Sequence, residues 1–254
     1  PLSTLFFVEL CRWALREVPR QTNMVRVGVA MLQGARHEHS EALYAASRQL
    51  GIQIEIVELR MGKQVDSELD CLVLPGGEST AMRRASQSES LLPALFSWMK
   101  EHPSRPVLGT CAGAILLAQP EFSFTPFVDC KISRNAWGRQ RDSFEAMLDV
   151  ELETPSGSQI EIQHLNRNEF NHQPLPVGTA LESLSSERFH GVFIRAPRFE
   201  QSTIQCDEVV KLSHETVGVL DGNRLALTFH PELTGDYRFH RWLLKHAIDA
   251  KNPV

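Results

Sequence analysis

Cys111 stands in Gly109-Thr110-Cys111-Ala112-Gly113, between apolar Val107-Leu108 and apolar Ile115-Leu116-Leu117. The pattern reads as a strand turning abruptly into a helix, with glycines that permit a tight corner and the close approach of another group. A helix beginning at such a corner directs its free N–H groups and the positive end of its dipole at the sulfur, the setting of a nucleophilic cysteine. A small buried core cysteine fits the same glycines equally well.

A cysteine nucleophile needs a base, a group to orient that base, and donors for an oxyanion. His230-Pro231-Glu232 follows the apolar alternation Leu225, Leu227, Phe229. In an extended backbone the i, i+2 spacing puts imidazole and carboxylate on one side, with Pro231 fixing the φ between them. The carboxylate then holds one ring nitrogen while the other faces the thiol. A surface His-Pro-Glu turn is the plain alternative. In Leu74-Pro75-Gly76-Gly77-Glu78-Ser79, paired glycines close another apolar run. At the carboxyl end of a strand they can aim N–H groups into the crevice where open α/β sheets bind ligands, as candidate oxyanion donors. An ordinary turn is the competing reading, and no Lys-Ser/Thr follows to make a phosphate loop.

The elements that must position these groups alternate. Residues 25–32 form an apolar, β-branched first strand, and Leu43, Ala46 and Leu50 give a helix over about 37–50, stopped by Gly51. Ile52, Ile54 and Ile56 alternate as a second strand, and 70–74 is a third. A helix over about 90–101 precedes the strand at 106–108 that leads to Cys111. This β-α-β order predicts an α/β fold with a mostly parallel central sheet and helices on both faces. Shorter strands follow at 127–133, 144–152, 190–194, 209–213, 216–220 and 224–229, with Asp221-Gly222 as a hairpin signal. Residues 237–250 have the period of a closing helix. The polar stretch 153–188, punctuated by Pro155, Gly157, Pro174, Pro176 and Gly178, reads as a surface excursion.

With 254 residues, 42% hydrophobic and 22% charged, the chain can bury one good core. A net charge of −5 without a long basic run argues against a nucleic-acid protein. Cys11, Cys71, Cys111, Cys130 and Cys206 are odd in number and lack CxxC spacing, so neither a disulfide framework nor a metal site is expected, and the compartment is a reducing, cytoplasmic one. Leu5-Phe6-Phe7-Val8 is too short to span a bilayer, and Glu9 and Glu17 interrupt any signal pattern. Residues 1–23 are expected to be an extension outside the fold, from an upstream start or as a poorly packed helix, and 24–250 a single domain.

Cys111 in GTCAG, Gly76-Gly77 in LPGGES and His230-Pro231-Glu232 in FHPEL together resemble the class I, triad-type glutamine amidotransferases. Leu32-Gln33-Gly34-Ala35 with Glu38-His39, the run from Pro75 to Arg84, Arg134-Asn135 with Gly138-Arg139-Gln140, Ser143-Phe144-Glu145 and Gly191-Val192-Phe193-Ile194-Arg195-Ala196-Pro197 narrow the likeness. They resemble the glutaminase subunit of pyridoxal 5′-phosphate synthase, over about 25–150 and 190–248. The resemblance implies a three-layer, flavodoxin-like fold and hydrolysis of L-glutamine to glutamate and ammonia through a thioester. It makes Cys111 the nucleophile, His230 the proton carrier and Glu232 its orienter. Gly76, Gly77 and Ala112 would donate to the oxyanion, and Gly76, Gly77, Glu78, Arg134, Ile194 and Arg195 would bind glutamine. It implies no cofactor, and it implies a partner: a synthase barrel subunit that receives the ammonia and builds pyridoxal phosphate. Alone, Arg134 and Arg195 would read as solvated surface arginines. Ser133 replaces a commonly acidic residue, the 111–134 segment is shorter than usual, and 153–188 reads as an insertion.

Two other classes compete. A peptidase-like cysteine hydrolase shares the strand-elbow-helix geometry, and the two arginine segments disfavour it. A non-enzymatic partner-binding homologue would not need Cys111, His230 and Glu232 together.

Overall fold

The computed structural model describes residues 24–121, 124–134, 143–157 and 187–252. The expected extension 1–23, the 135–140 part of the first arginine segment and the bulk of the excursion, 158–186, lie outside the described residues. The order is β1 (Met24–Ala30), α1 (Arg36–Leu50), β2 (Gln53–Leu59), β3 (Cys71–Leu74), α2 (Ser79–Glu89), α3 (Leu91–Glu101), β4 (Val107–Thr110) and α4 (Ala112–Ala118). There follow β5 (Ile132–Ser133), β6 (Ser143–Val150), β7 (Arg188–Ile194), β8 (Arg198–Phe199), β9 (Asp207–Leu212), β10 (Glu215–Asp221), β11 (Arg224–Leu227) and α5 (Arg238–Lys251).

Strand side chains alternate between faces, and the central strands are apolar on both. Val25, Val27, Val29, Cys71 and Val73 therefore enter one core, with Leu43 and Ala46 of α1 and Phe239, Trp242 and Leu243 of α5. Leu72, Leu74 and Val107 enter the other, with Met82 of α2, Leu92, Leu95 and Phe96 of α3 and Leu116 of α4. The result is three layers, with the sheet between two helical layers, as the β-α-β alternation predicts.

Among the described residues the main sheet has the order β2-β1-β3-β4-β11-β10-β9-β6-β7. Its first five strands pair in parallel. From β11 onward the pairing is antiparallel. The β10–β11 hairpin closes through Gly222 and Asn223, with Asp221 opposite Arg224 and Gly222 at φ 54°. Leaving β1, the chain goes to β2 on one side and to β3 on the other. This reversal opens a crevice beyond the carboxyl ends of the strands. The loops after β1, β3 and β4, carrying Gln33, Gly76 and Cys111, all leave from that end.

Two expectations need correction. The helix expected over about 90–101 is preceded by a separate helix, α2, that apolar periodicity alone does not reveal. The two meet at Ser90, which takes a left-handed conformation at φ 51°. The strand expected at 127–133 is formed only at Ile132–Ser133, which pairs with β8. Val128, Cys130 and Ile132 are buried alternately, as expected. The earlier backbone, however, is held by scattered bonds such as Phe127 N–H to Leu117 O (2.8 Å) and Gln205 N–H to Asp129 O (2.9 Å). Among the described residues, no helix is long and apolar enough to cross a membrane.

Candidate active site

Cys111 occupies the corner between β4 and α4 at φ 48° and ψ −105°, a conformation that a non-glycine residue rarely adopts. The strain falls on the cysteine itself, not on its flanking glycines, whose contribution is close approach. A Cβ on Gly113 would lie 1.9 Å from Leu74 O, and one on Gly109 2.9 Å from Gly113 O. Cys111 N–H donates to Leu227 O (2.8 Å), which ties the corner to β11.

After β11 the chain runs through Thr228 and Phe229, both buried, to His230, whose N–H donates to Val192 O (2.8 Å). Here the local reason differs from the one expected. Pro231–Leu233 is a short 3-10 turn led by the proline, not an extended strand. The turn still brings Glu232 Oε1 to 2.7 Å from His230 Nδ1. Thr234 Oγ1 donates to Pro231 O (3.0 Å) and holds the turn shut. Cys111 lies close enough to the His230 ring to interact with it electrostatically, and its Sγ meets Ile194 O at 4.0 Å. Cys111, His230 and Glu232 are thus one contiguous, buried relay.

The electrostatics follow from that burial. Desolvation opposes a charged His230, but the Glu232 carboxylate, the nearby Cys111 and the hydrogen bond to Glu232 overcome it, raising its pKa to about 10. Desolvation likewise opposes a charged Glu232. The neighbouring His39 and His230, and hydrogen bonds from His230 and its own backbone, overcome it and hold the carboxyl at about 2. The pair is therefore an imidazolium–carboxylate across the neutral range, with a donor facing the sulfur.

The relay forms one wall of a cleft of about 470 Å³. Gly76 lies against it: a Cβ there would sit 2.4 Å from His230 Cε1 and 3.3 Å from Cys111 Cβ. Gly77 takes φ +147°, and Ala112 opens α4, so its N–H belongs to the helix's unsatisfied first turn. Gly77, Glu78, Arg134, Ile194 and Arg195 line the cleft with Cys111 and His230, while the expected site residues Gly76, Ala112 and Glu232 are not among its lining. Arg134 Nη1 donates to Thr80 Oγ1 (2.8 Å), and Arg195 stands at φ 44° just past β7. Glu78 carries a structural duty as well: its carboxylate caps α2, accepting Thr80 N–H (3.0 Å) and Ala81 N–H (2.7 Å). Those two backbone bonds lower its pKa.

The cleft includes residues that the sequence reading did not assign. Gln33 Oε1 accepts Glu78 N–H (3.2 Å), and a Cβ on Gly34 would lie 1.8 Å from Gly76 O, so the β1 loop buttresses the glycine pair. Glu38 and Leu233 also line the cleft, with Ala35, Ser79, Ile115 and Pro197. The signal for Gln33, Gly34 and Glu38 lay in the Leu32–His39 stretch, which carried the resemblance but no role. Among the described residues, no cluster of His, Cys, Asp and Glu is arranged to hold a metal.

The profile of the SNO glutamine amidotransferase family matches residues 29–157 and 158–249. The chain is 37% identical over 234 residues to the pyridoxal 5′-phosphate synthase subunit PdxT of Thermococcus onnurineus, covering 89% of this chain and 100% of that one. It is 36% identical over 229 residues to the PdxT of Shouchella clausii, covering 89% and 96%. A crystal structure of a glutamine amidotransferase superimposes with a TM-score of 0.63 at 34% identity, covering 87% of this chain and 98% of that one. Matched by the profile from residue 29 to residue 249 and aligned with these relatives over nearly their full length, the chain belongs to the SNO glutamine amidotransferase family.

Proposed function

We propose that the protein is a glutaminase that hydrolyses L-glutamine and supplies ammonia to a pyridoxal 5′-phosphate synthase barrel subunit, in vitamin B6 biosynthesis. The observation that carries this reading is the buried Cys111, His230 and Glu232 grouping beside Gly76 and facing the cleft. The names of the relatives supply the synthase connection. Cys111 Sγ attacks the carboxamide carbon, and the carbonyl electron pair moves onto oxygen, facing the N–H groups of Gly76, Gly77 and Ala112. Collapse breaks the C–N bond as His230 passes its proton to the departing ammonia. His230 then takes a proton from water, which attacks the thioester carbon and expels the sulfur. Glu232 keeps the imidazole oriented through both steps.

Arg134 and Arg195 offer cations for the substrate α-carboxylate. Glu78 keeps acceptor capacity for the α-ammonium, since a carboxylate has about four lone-pair sites and the helix cap uses two. Ile194 supplies wall and backbone. We take residues 24–250 as one domain, 1–23 as an extension outside it and 153–188 as a surface insertion. The free thiols of Cys71, Cys111, Cys130 and Cys206 suit a reducing cytoplasm. The test is ammonia release from glutamine by the full chain, with and without a pyridoxal phosphate synthase barrel subunit, against Cys111→Ala. Release that needs Cys111 and rises with the barrel is expected. Release by the alanine variant, or cleavage of peptides without glutaminase activity, overturns the reading.

A further inference from the structure

Glu232 has two carboxylate oxygens, and His230 uses one. Oε1 takes the His230 contact, while the buried Oε2 has no hydrogen bond of good geometry among the described residues. The ring facing it is His39 of α1, whose Nε2 lies 3.3 Å from Oε2 and 3.0 Å from Thr110 Oγ1. On its other side, His39 Nδ1 meets His240 Nε2 of α5 at 3.0 Å, across 201 positions of sequence. Both rings are fully buried.

What each group can donate fixes the protons. A carboxylate only accepts. Were His39 Nε2 unprotonated, its lone pair would face the Glu232 charge in a dry interior, which is costly. Nε2 therefore carries the proton, shared between Glu232 and Thr110, while Nδ1 accepts from His240 Nε2–H. That leaves His240 Nδ1 bare, in accord with its lacking a partner among the described residues. Burial lowers the pKa of both rings against the pull of Glu232, that of His240 to about 3. The charged and titratable groups around the two rings are Glu232 and His230 from the turn after β11, and Arg241 beside His240 on α5.

Resting on the glutaminase reading, we propose that His39 is a positioning residue for catalysis: its Nε2–H holds Glu232 in place to orient His230, and His240 sets the tautomer that makes this contact possible. The relay then runs from Cys111 through His230, Glu232 and His39 to His240, anchoring the base to both helices of one layer. His39 does not line the cleft, so its loss should act on turnover and not on substrate affinity.

The experiment uses the full chain with a synthase barrel subunit. His39→Leu should lower kcat about 10- to 100-fold, the cost of losing a partner that orients a catalytic side chain, with KM nearly unchanged. His39→Gln, whose amide N–H can reach Glu232, should recover most of that loss. In His39→Leu the acid limb of Cys111 alkylation by iodoacetamide, read peptide by peptide, should move up by about one pH unit as the imidazolium loses its fixed carboxylate. His240→Leu should move it in the same direction by less, and covers the case in which His39→Leu does not fold. An unmoved alkylation profile in both leucine variants, or equal losses in the Leu and Gln variants of His39, would overturn the proposal. If the unsubstituted chain releases no ammonia from glutamine, the glutaminase reading fails, and the alkylation profile still judges His39.

Discussion

The two walls of the cleft are built on opposite principles. On the reacting wall, Cys111 and His230, with Glu232, His39 and His240 behind them, are each at most 6% exposed and are contributed by the corner after β4, the turn after β11, α1 and α5. On the binding wall, Glu78, Arg134 and Arg195 are exposed, and Arg134 rests on one hydroxyl 2.8 Å away. Low dielectric strengthens the contacts of the first wall and makes any unpaired group there expensive. The second wall stays solvated until a zwitterion arrives. Proton-transfer groups are fixed in advance, and recognition groups are left at the rim.

Glu232→Gln tests the first wall most severely. The amide keeps the shape but no longer holds the imidazole in its reactive tautomer. By analogy with the Asp-to-Asn change in serine proteases, kcat for glutamine should fall about 10³- to 10⁴-fold with little change in KM. Steady-state ammonia release in the presence of the barrel subunit measures it. A loss under tenfold would mean that burial, not the carboxylate, orients His230.

Gly113→Ala comes next. The added methyl would lie 1.9 Å from the Leu74 carbonyl oxygen, where only backbone movement could relieve it. The expected cost is about 3 kcal/mol or more in urea unfolding. Gly51→Ala, in open space at φ +65°, should cost only about 1 kcal/mol. Equal costs would deny the reacting wall its special rigidity.

The reacting wall was also the more legible in sequence, though not always for the right reason. Apolar runs ending at Leu74, Thr110 and Leu227 marked strands whose ends converge, because period and length alone report doubly buried strands. The His230–Glu232 pair was readable from its spacing, yet the backbone between them is a 3-10 turn, since proline suits a turn as well as a strand. Helix α2 was missed because Ser79–Glu89 carries little apolar periodicity and starts from a carboxylate cap next to glycines. The 127–133 segment misled in the opposite sense: its alternation reports burial, whereas strand pairing depends on a partner that β8 supplies for two residues only. His39 sits in a polar helical stretch, and nothing local shows that its partner is on the last helix.

The relay also sets a pH range. The folded-state pKa of Glu232, about 2, lies below its ordinary 4.5, so its ionised form stabilises the fold above about pH 4.5 and loses that contribution as pH falls toward 2. His230, raised from 6.5 to about 10, contributes fully below pH 6.5 and loses its contribution as pH rises toward 10. Both limbs belong to one ion pair, so urea midpoints should peak between them, and Glu232→Gln should flatten both. A variant that keeps the full pH dependence would move its origin to groups outside the relay.

The smallest effect is expected at the rim. Arg134→Gln removes a cation that is exposed and bound to Thr80 by one contact. A charge-assisted bond to a substrate carboxylate would be worth more in a closed site, but solvent and salt weaken it here. KM for glutamine should rise about tenfold, with kcat nearly unchanged, because the α-carboxylate is held equally in ground and transition states. The same KM should climb with ionic strength in the unsubstituted enzyme and climb less in the variant. A fall in kcat matching the rise in KM would join Arg134 to the reacting wall. The line between fixed chemistry and adaptable recognition would then have to be drawn elsewhere in the cleft.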